Sequence, residues 1–495
     1  MNGLVKNYYY VSLYQIIVLF VPLLTAPYLA RTLGPASLGI ASYVSAVSSM
    51  VGSFALLGIY NYGAREAAYG GGDALRLTRT FWELMAIRSF LGVIGSIAYF
   101  VIATNSEYRL FFFLFYANLL ANLMDITWLF VGLEDMRPAV IKNIAVKVLT
   151  VLGIFWLVRT NADTSIYVGL LAITTLAGNL SVYPQLRGVI GRPSVDWTRL
   201  WHHLRGSVQL FIPQIAVILY MQIGRVMLEQ LTNDSRQVAF YDQAEKIVMI
   251  PLSLITSFSI VMMPRMASEH GTGNTGGVER YFRLSGRAAL FLAVPMSVGI
   301  ACIAPRFIPW YLGPEFYPTS LAVIILSPLI VANSIGGVAG SQFLTATNQV
   351  RIMTIANSLA AACNIVCNMI LIPWLGAIGC ALSVVIASCV SAIIQVWYVG
   401  RQIGIGELIR CGAKYLVFSV PVALSVLGLG VVLPVGLPTT VLQILIGVVV
   451  YSAGLLIVKD VTMFGLITTG VTAWRSRAAR RGCLVLNGSR LVGSS

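Results

Sequence analysis

About fourteen stretches of this chain are apolar and roughly 20 residues long, enough at ~1.5 Å rise per residue to cross the ~30 Å hydrocarbon core of a bilayer as helices. They are expected near residues 8–30, 37–60, 81–103, 109–132, 138–158, 164–186, 208–230, 239–263, 284–305, 318–345, 352–373, 376–399, 412–433 and 437–458. A chain of 495 residues that is 58% hydrophobic and 10% charged, with mean hydropathy +0.83, has no soluble reading of comparable quality. The fold class that follows is an all-α polytopic membrane protein. The first apolar run is too long for a signal-peptide core and lacks a small-residue cleavage site, so it is expected to remain as a span.

Basic residues outnumber acidic ones, 33 to 18, for a net charge of +15. They fall on alternate loops: Arg65, Arg76 and Arg79, then Arg137 and Lys142, then Arg187, Arg192, Arg199 and Arg205, then Arg265, Arg280, Arg283 and Arg287. By the positive-inside rule these loops and both termini are cytoplasmic, and the number of spans is even. The excess charge therefore reports topology, and no nucleic-acid partner is expected. The longest early cytoplasmic connection, residues 187–207, divides an N-terminal six-helix lobe (1–186) from a C-terminal one (208–400). Two additional transmembrane helices (401–470) and a basic cytoplasmic tail (471–495) follow. Ala30-Arg31-Thr32-Leu33 and Gly224-Arg225-Val226-Met227 end the first span of each lobe alike, which suggests a parallel repeat; chance could also give this match.

Motif chemistry is sparse. No GxxxxGK[ST] occurs, so ATP is not hydrolysed by this chain. The run Gly271-Thr-Gly273-Asn-Thr-Gly276-Gly277 follows a membrane helix, not a strand, and reads as a hinge loop. Cys363 and Cys367 share a helical face, where packing is the simpler role than metal binding. His202, His203 and His270 all fall in expected cytoplasmic loops, so no histidine metal site or proton relay is expected at membrane depth. No catalytic residue, metal or cofactor is assigned, and the chain is not expected to be an enzyme.

A charge at bilayer depth costs at least ~2.5–3.5 kcal/mol and needs a partner or a task. Arg88, Asp125 and Lys147 lie on consecutive spans, each about seven to nine residues in from the cytoplasmic side, or roughly 11–13 Å deep. Asn118, Asn122 and Asp125 form one helical stripe, and Asn143, Lys147 and Thr150 form another. Two such stripes describe the wall of an internal cavity. The plainer alternative is an Arg88–Asp125 pair that only joins helices. Two cations against one anion favour an anionic guest. Glu83 stands four residues after Arg79 and is expected to pair with it at the membrane edge. Toward the outer face lie Arg31, Arg225, Glu229, Glu245 and Lys246. Gln222 shares a stripe with Arg225 and Glu229, and Asp242 is placed to pair with Lys246. Asn357, Asn364 and Asn368 give the eleventh span a polar face that either lines the cavity or bridges helices. The absence of carboxylate rings and of a regular arginine array argues against a pore or voltage sensor.

The segment Pro22-Leu-Leu-Thr-Ala-Pro27-Tyr-Leu-Ala-Arg31-Thr-Leu-Gly34-Pro35 resembles the first-helix signature of the Wzx-type oligosaccharide flippases. So do Phe211-Ile-Pro213, Tyr241-Asp-Gln-Ala-Glu245-Lys246 with Pro251, Met263-Pro264-Arg265, Gly340-Ser-Gln342 and Leu371-Ile-Pro373. The resemblance implies the multidrug/oligosaccharidyl-lipid/polysaccharide exporter fold, two six-helix lobes in a V that open alternately to each side. It also implies the cargo, an undecaprenyl-pyrophosphate-linked oligosaccharide moved from the inner to the outer leaflet of a bacterial plasma membrane. Polysaccharide polymerase and chain-length machinery would be its partners. Carried over to this sequence, the cationic cavity residues of the family are Arg31, Lys246 and Arg265, with Glu245 beside them. Arg88, Lys147 and Arg225 join them as cations, with Asp125 as pairing or proton-exchanging partner. Relatives often have Asp-Lys where this chain has Gly224-Arg225, so coupling through that acid is in doubt. Rival readings are a lipid II-type peptidoglycan-precursor flippase and a MATE-like cation-coupled drug antiporter. A membrane glycosyltransferase would be expected to carry a larger outer loop.

Overall fold

A computed structural model describes the backbone of residues 2–463 except 71, 136 and 461, and the side chains of these except 2–20, 212–214, 216–217, 219–220 and 257–261. The expected basic tail lies outside the described residues. Among them the chain is helical and no strand occurs. The helices are α1 (Asn2–Leu56), α2 (Ile59–Gly70), α3 (Ala74–Thr104), α4 (Arg109–Leu123), α5 (Thr127–Gly132), α6 (Arg137–Leu157), α7 (Thr164–Leu180) and α8 (Trp197–Thr232). They continue as α9 (Ser235–Gly271), α10 (Thr275–Tyr311), α11 (Tyr317–Leu326), α12 (Pro328–Gly337), α13 (Val350–Leu375), α14 (Ala377–Ile403), α15 (Gly406–Val432) and α16 (Leu437–Ile457).

Each expected span falls on helix to within a residue or two, apart from short breaks. Ten helices among the described residues are long and apolar enough to cross a membrane, or eleven when the bent pair Pro314–Leu326 and Pro328–Leu344 counts as one. The expected fourteen is thus not reached on length and composition. Two intervals run together in α1, which is broken where Gly34 takes φ 73° and ψ 175° ahead of Pro35. Only glycine adopts that φ cheaply, and proline then starts the second half without needing an N–H partner. α8 and α9 carry the intervals 208–230 and 239–263, but Arg225, Glu229, Asp242, Glu245 and Lys246 make them more polar.

The chain divides into two compact units. One comprises the described residues up to Ile250 with Phe307–Leu329 and Val350–Gln395; the other comprises Pro251–Arg306, Ile330–Gln349 and the described residues from Val396 onward. In the first unit a core forms where α2, α3, α5 and the start of α8 meet, with Tyr62, Phe81, Leu84, Trp128 and Leu129 buried. Phe81 and Trp128 stack with ring centroids 5.8 Å apart. Outward faces of α3 and α6 present Phe90, Val93, Ile97, Leu149, Leu152 and Trp156. In water such apolar faces would drive aggregation, whereas in lipid they meet their own kind. In the second unit, Arg283 reaches Glu279 and Glu407, at 2.7 Å for the latter, while Arg287 also pairs with Glu407. Beyond α16, burial alone would raise the Asp460 carboxyl above its ordinary pKa. The Lys414 ammonium at 2.6 Å and the N–H groups of Thr462 and Met463 outweigh this and hold it below.

One close approach in the first unit fixes the register of α1 against α9. A Cβ added at Gly39 would stand 1.7 Å from the carbonyl oxygen of Ser235, and Ser235 Oγ donates to the carbonyl of Ala36 at 3.1 Å. Backbone cannot rotate away as a side chain can. Gly39→Ala is expected to destabilise the protein by ~1–3 kcal/mol. Thermal unfolding in detergent would show this, and a melting temperature equal to wild type would refute the close packing.

Candidate functional site

The cavity that gathers most of the charge lies within the first unit, with a volume of about 250 Å³. Ser42, Ser45 and Ser49 line it from one face of α1, Tyr167 and Leu171 from α7, Gln222 and Arg225 from α8, and Asp242 and Lys246 from α9. The spacing explains the wall. Residues three and four apart share a helical face, and serines leave room that larger side chains would fill.

Arg225 organises the polar side. Its Nε donates to Asp242 Oδ1 at 2.8 Å, one Nη bonds Glu245, and the other donates to Gln222 Oε1 at 3.2 Å. Asp242 is shared: its second oxygen accepts from Ser42 Oγ at 2.8 Å and from Lys246 Nζ at 2.5 Å. Asp242 and Glu245 are buried, whereas the Lys246 side chain keeps 48% of its surface exposed. Lys147 on α6 forms no ion pair among the described residues and feels the repulsion of Lys246. Three cations therefore stand against two carboxylates here. The hollow is smaller than the ~300–1,000 Å³ of pockets that enclose a drug-sized ligand. It suits a small anionic group better than a whole sugar chain.

The remaining intramembrane residues fall into separate clusters. The chain leaves helix between α4 and α5, and Arg88 fills the gap by donating to the backbone carbonyls of Asn122, at 2.6 Å, and Asp125. Arg88 is buried, and its Nε has no partner among the described residues. Its expected partner, the Asp125 carboxylate, instead accepts from the Thr127 N–H at 3.0 Å and hydroxyl at 2.7 Å, and from Lys142 Nζ at 3.3 Å. Lys142 also donates to Asn179 Oδ1 at 2.8 Å, and Asn179 holds the carbonyl of Ala121. The lysine that reaches Asp125 is thus Lys142, not Lys147. Five residues separate the two on α6, which turns them to different faces. Asn122 donates to Asn118 at 3.3 Å, and neither these two nor Asn143 line the cavity.

Glu83 does not pair with Arg79. It is fully buried, with Oε2 2.8 Å from His203 Nε2, while His203 Nδ1 lies 2.9 Å from the Tyr62 hydroxyl. Glu83 Oε1 accepts the N–H of Asp196 at 3.3 Å. His203, expected in a loop, is inside α8, because that helix starts at Trp197 on an Asp196 cap. Thr198 donates its hydroxyl and N–H to the cap, which holds the Asp196 carboxyl below its ordinary pKa. Trp197 and Trp201 stay exposed on the outer face of this turn, as interfacial tryptophans do.

Arg31 is exposed and donates to the carbonyl of Trp310, outside the cavity lining. Asn357 accepts from Ser391 at 2.8 Å and Gln395 at 3.2 Å and so ties α13 to α14. Asn364 is buried and accepts from Asn368 at 3.1 Å. Arg265 is exposed and belongs to the second unit. Of the expected site residues, the cavity wall thus joins Arg225, Lys246 and Gln222, with Glu245 attached to it through Arg225 and Lys147 close by. The serine row of α1 and Tyr167 were not expected; the spacing of Ser42, Ser45 and Ser49 was their only sequence signal.

Residues 4–270 match the family described as polysaccharide biosynthesis protein. The chain is 23% identical over 349 residues to the "Putative O-antigen transporter" of Escherichia coli (strain K12), an alignment covering 69% of this chain and 84% of that one. Its fold is similar to a lipid II flippase MurJ in an inward closed conformation, with TM-score 0.62, 16% identity and coverage of 94% of this chain and 100% of that one. It is similar also to an inward-facing multidrug resistance MATE family transporter of the MOP superfamily, with TM-score 0.62, 18% identity and coverage of 80% and 99%.

Proposed function

Because this chain belongs to the polysaccharide biosynthesis protein family, we propose that it is a flippase that moves undecaprenyl-pyrophosphate-linked oligosaccharide from the inner to the outer leaflet of a bacterial plasma membrane. The observation that carries the reading is the excess of cations at the cavity, where Arg225 and Lys246 pair with Asp242 and Glu245 while Lys147, near enough to feel Lys246, has no carboxylate partner among the described residues. A pyrophosphate cannot cross ~30 Å of hydrocarbon unaided, and ammonium and guanidinium groups are its natural partners.

In this reading the diphosphate enters beside Lys147 and the exposed Lys246. Its oxygens compete with Asp242 for the Lys246 ammonium, while Ser42 and Arg225 continue to hold Asp242. The serine wall and Tyr167 offer further hydroxyls, and the polyprenyl tail stays in lipid. We place loading here and not at Arg88, whose guanidinium is taken up by two backbone carbonyls. Arg31 then marks the route of release. A guest shifts a two-state carrier only by binding one state better, and loosening the Asp242–Lys246 pair supplies such a difference. Cytoplasmic termini, the two six-helix lobes and association with polymerase and chain-length machinery complete the proposal. A drug antiporter for cations would need the opposite balance of charge.

The test is Lys147→Glu, since Lys147 holds no ion pair whose loss would unfold the protein. Surface polysaccharide is expected to fall at least about tenfold, the effect of ~1.4 kcal/mol on cargo binding, while lipid-linked oligosaccharide accumulates inside. Normal export by a folded Lys147→Glu protein would overturn the assignment of the cavity.

A further inference from the structure

We propose that Glu229 is a proton-binding site of the transport cycle, a carboxyl group that carries its proton in one state of the protein and releases it in another. Glu229 sits near the C-terminal end of α8 and is 6% exposed. Its Oε1 accepts the Tyr108 hydroxyl at 2.7 Å. Its Oε2 is buried and has no hydrogen-bond partner among the described residues. No Lys, Arg or His forms an ion pair with it there, in contrast to the other buried carboxylates of the first unit and the half-buried Asp125. Asp242 and Glu245 have Arg225, Asp125 has Lys142, and Glu83 has His203.

The surroundings do not supply the missing charge. From α1, Tyr43 packs at 6.0 Å from the Tyr108 ring and turns its hydroxyl to Gln230. From just ahead of α4, Glu107 adds negative charge beside Tyr108, and ahead of α9, Asp234 adds more. Ser235 opens α9 within reach of the Tyr108 hydroxyl. The cations nearby are engaged: Arg236 pairs with Asp234 at 3.0 Å, and Arg225, one turn earlier on α8, is held by Asp242 and Glu245. An ionised carboxylate so placed has neither water nor a counter-charge. Binding one proton neutralises it. A sodium ion would need several further oxygen ligands, where Glu229 has one free oxygen to give.

The place of this group ties the proton to the cargo, which is the one point resting on the flippase reading. Glu229 follows Arg225 by four residues, so both project from neighbouring turns of α8. When Glu229 gives up its proton to water, a new negative charge appears one turn from Arg225 on the cavity wall and makes the cavity less favourable for an anionic guest. The protonated state thus retains pyrophosphate and the deprotonated state releases it.

Infrared difference spectroscopy on the purified protein reads the proton directly. At neutral pH a band of protonated carboxylic acid is expected, lost in Glu229→Gln and displaced in Tyr108→Phe. In proteoliposomes, a pH gradient should speed transfer of a fluorescent polyprenyl pyrophosphate by wild type about tenfold more than by Glu229→Gln, within the usual range of coupling between two sites. An unchanged band in Glu229→Gln, a band present only when sodium is removed, or equal gradient responses would each overturn the proposal. Should Glu229→Gln not fold, the Tyr108→Phe band decides, and an undisplaced band refutes it. Failure of wild type to bind polyprenyl pyrophosphate would defeat the flippase reading instead, and would leave the spectroscopic result standing.

Discussion

Arg225→Leu should lower the stability of the detergent-solubilised protein by roughly 3–5 kcal/mol and abolish export. Removing the guanidinium leaves Glu245 buried without the cation that pairs with it and Asp242 with Lys246 alone. Pairing the change with Glu245→Leu should recover part of the loss, because the second substitution removes the stranded charge. Export should not recover, since the cavity still lacks the Arg225 guanidinium that positions Asp242. Thermal unfolding of the single and double variants measures the coupling between the two positions. Additive effects would mean that the cluster is not the unit described here.

The second large effect belongs to Glu83. Glu83→Leu should cost roughly 3–5 kcal/mol, since it strips the buried His203 ring of its partner and leaves the Asp196 N–H without its acceptor. Glu83→Gln should cost much less, because the amide keeps the shape and an oxygen to accept the Asp196 N–H. The comparison matters because the carboxylate joins three segments: α3, the connection before α8, and through His203 the Tyr62 hydroxyl of α2. Fluorescence-detected size exclusion after heating would rank the variants. A Glu83→Leu protein as heat-resistant as wild type would show that this contact does not hold the segments together.

The helices were legible because their signal is long and repeated. A run of twenty apolar residues leaves one structure open in lipid, whatever its neighbours do. The Asp242–Lys246 pair was legible for the same local reason, four residues on one helix. The depth argument brought Arg88 and Asp125 to one level, and Arg88 does reach Asp125, at its backbone carbonyl and not its carboxylate. What depth could not convey was rotation. It favoured Lys147 over Lys142 and a side-chain pair over a cap, because the break between α4 and α5 that exposes the Asn122 carbonyl leaves no proline or glycine in Met124-Asp125-Ile126. His203 escaped because a basic, tryptophan-bearing connection reads as a loop. Its burial depends on Tyr62 and Glu83, far away in sequence.

The serine row along α1 has a consequence for which glycans can pass. Hydroxyls and ammonium groups sense charge and hydration, and they present little relief against which the stereochemistry of a ring could be checked. On the proposed reading, a wall of this kind would discriminate by the phosphate of the cargo. Choice among sugars would then fall to whatever builds the glycan or takes it up afterwards, and on that reading cells with unlike surface coats would be served alike by this chain.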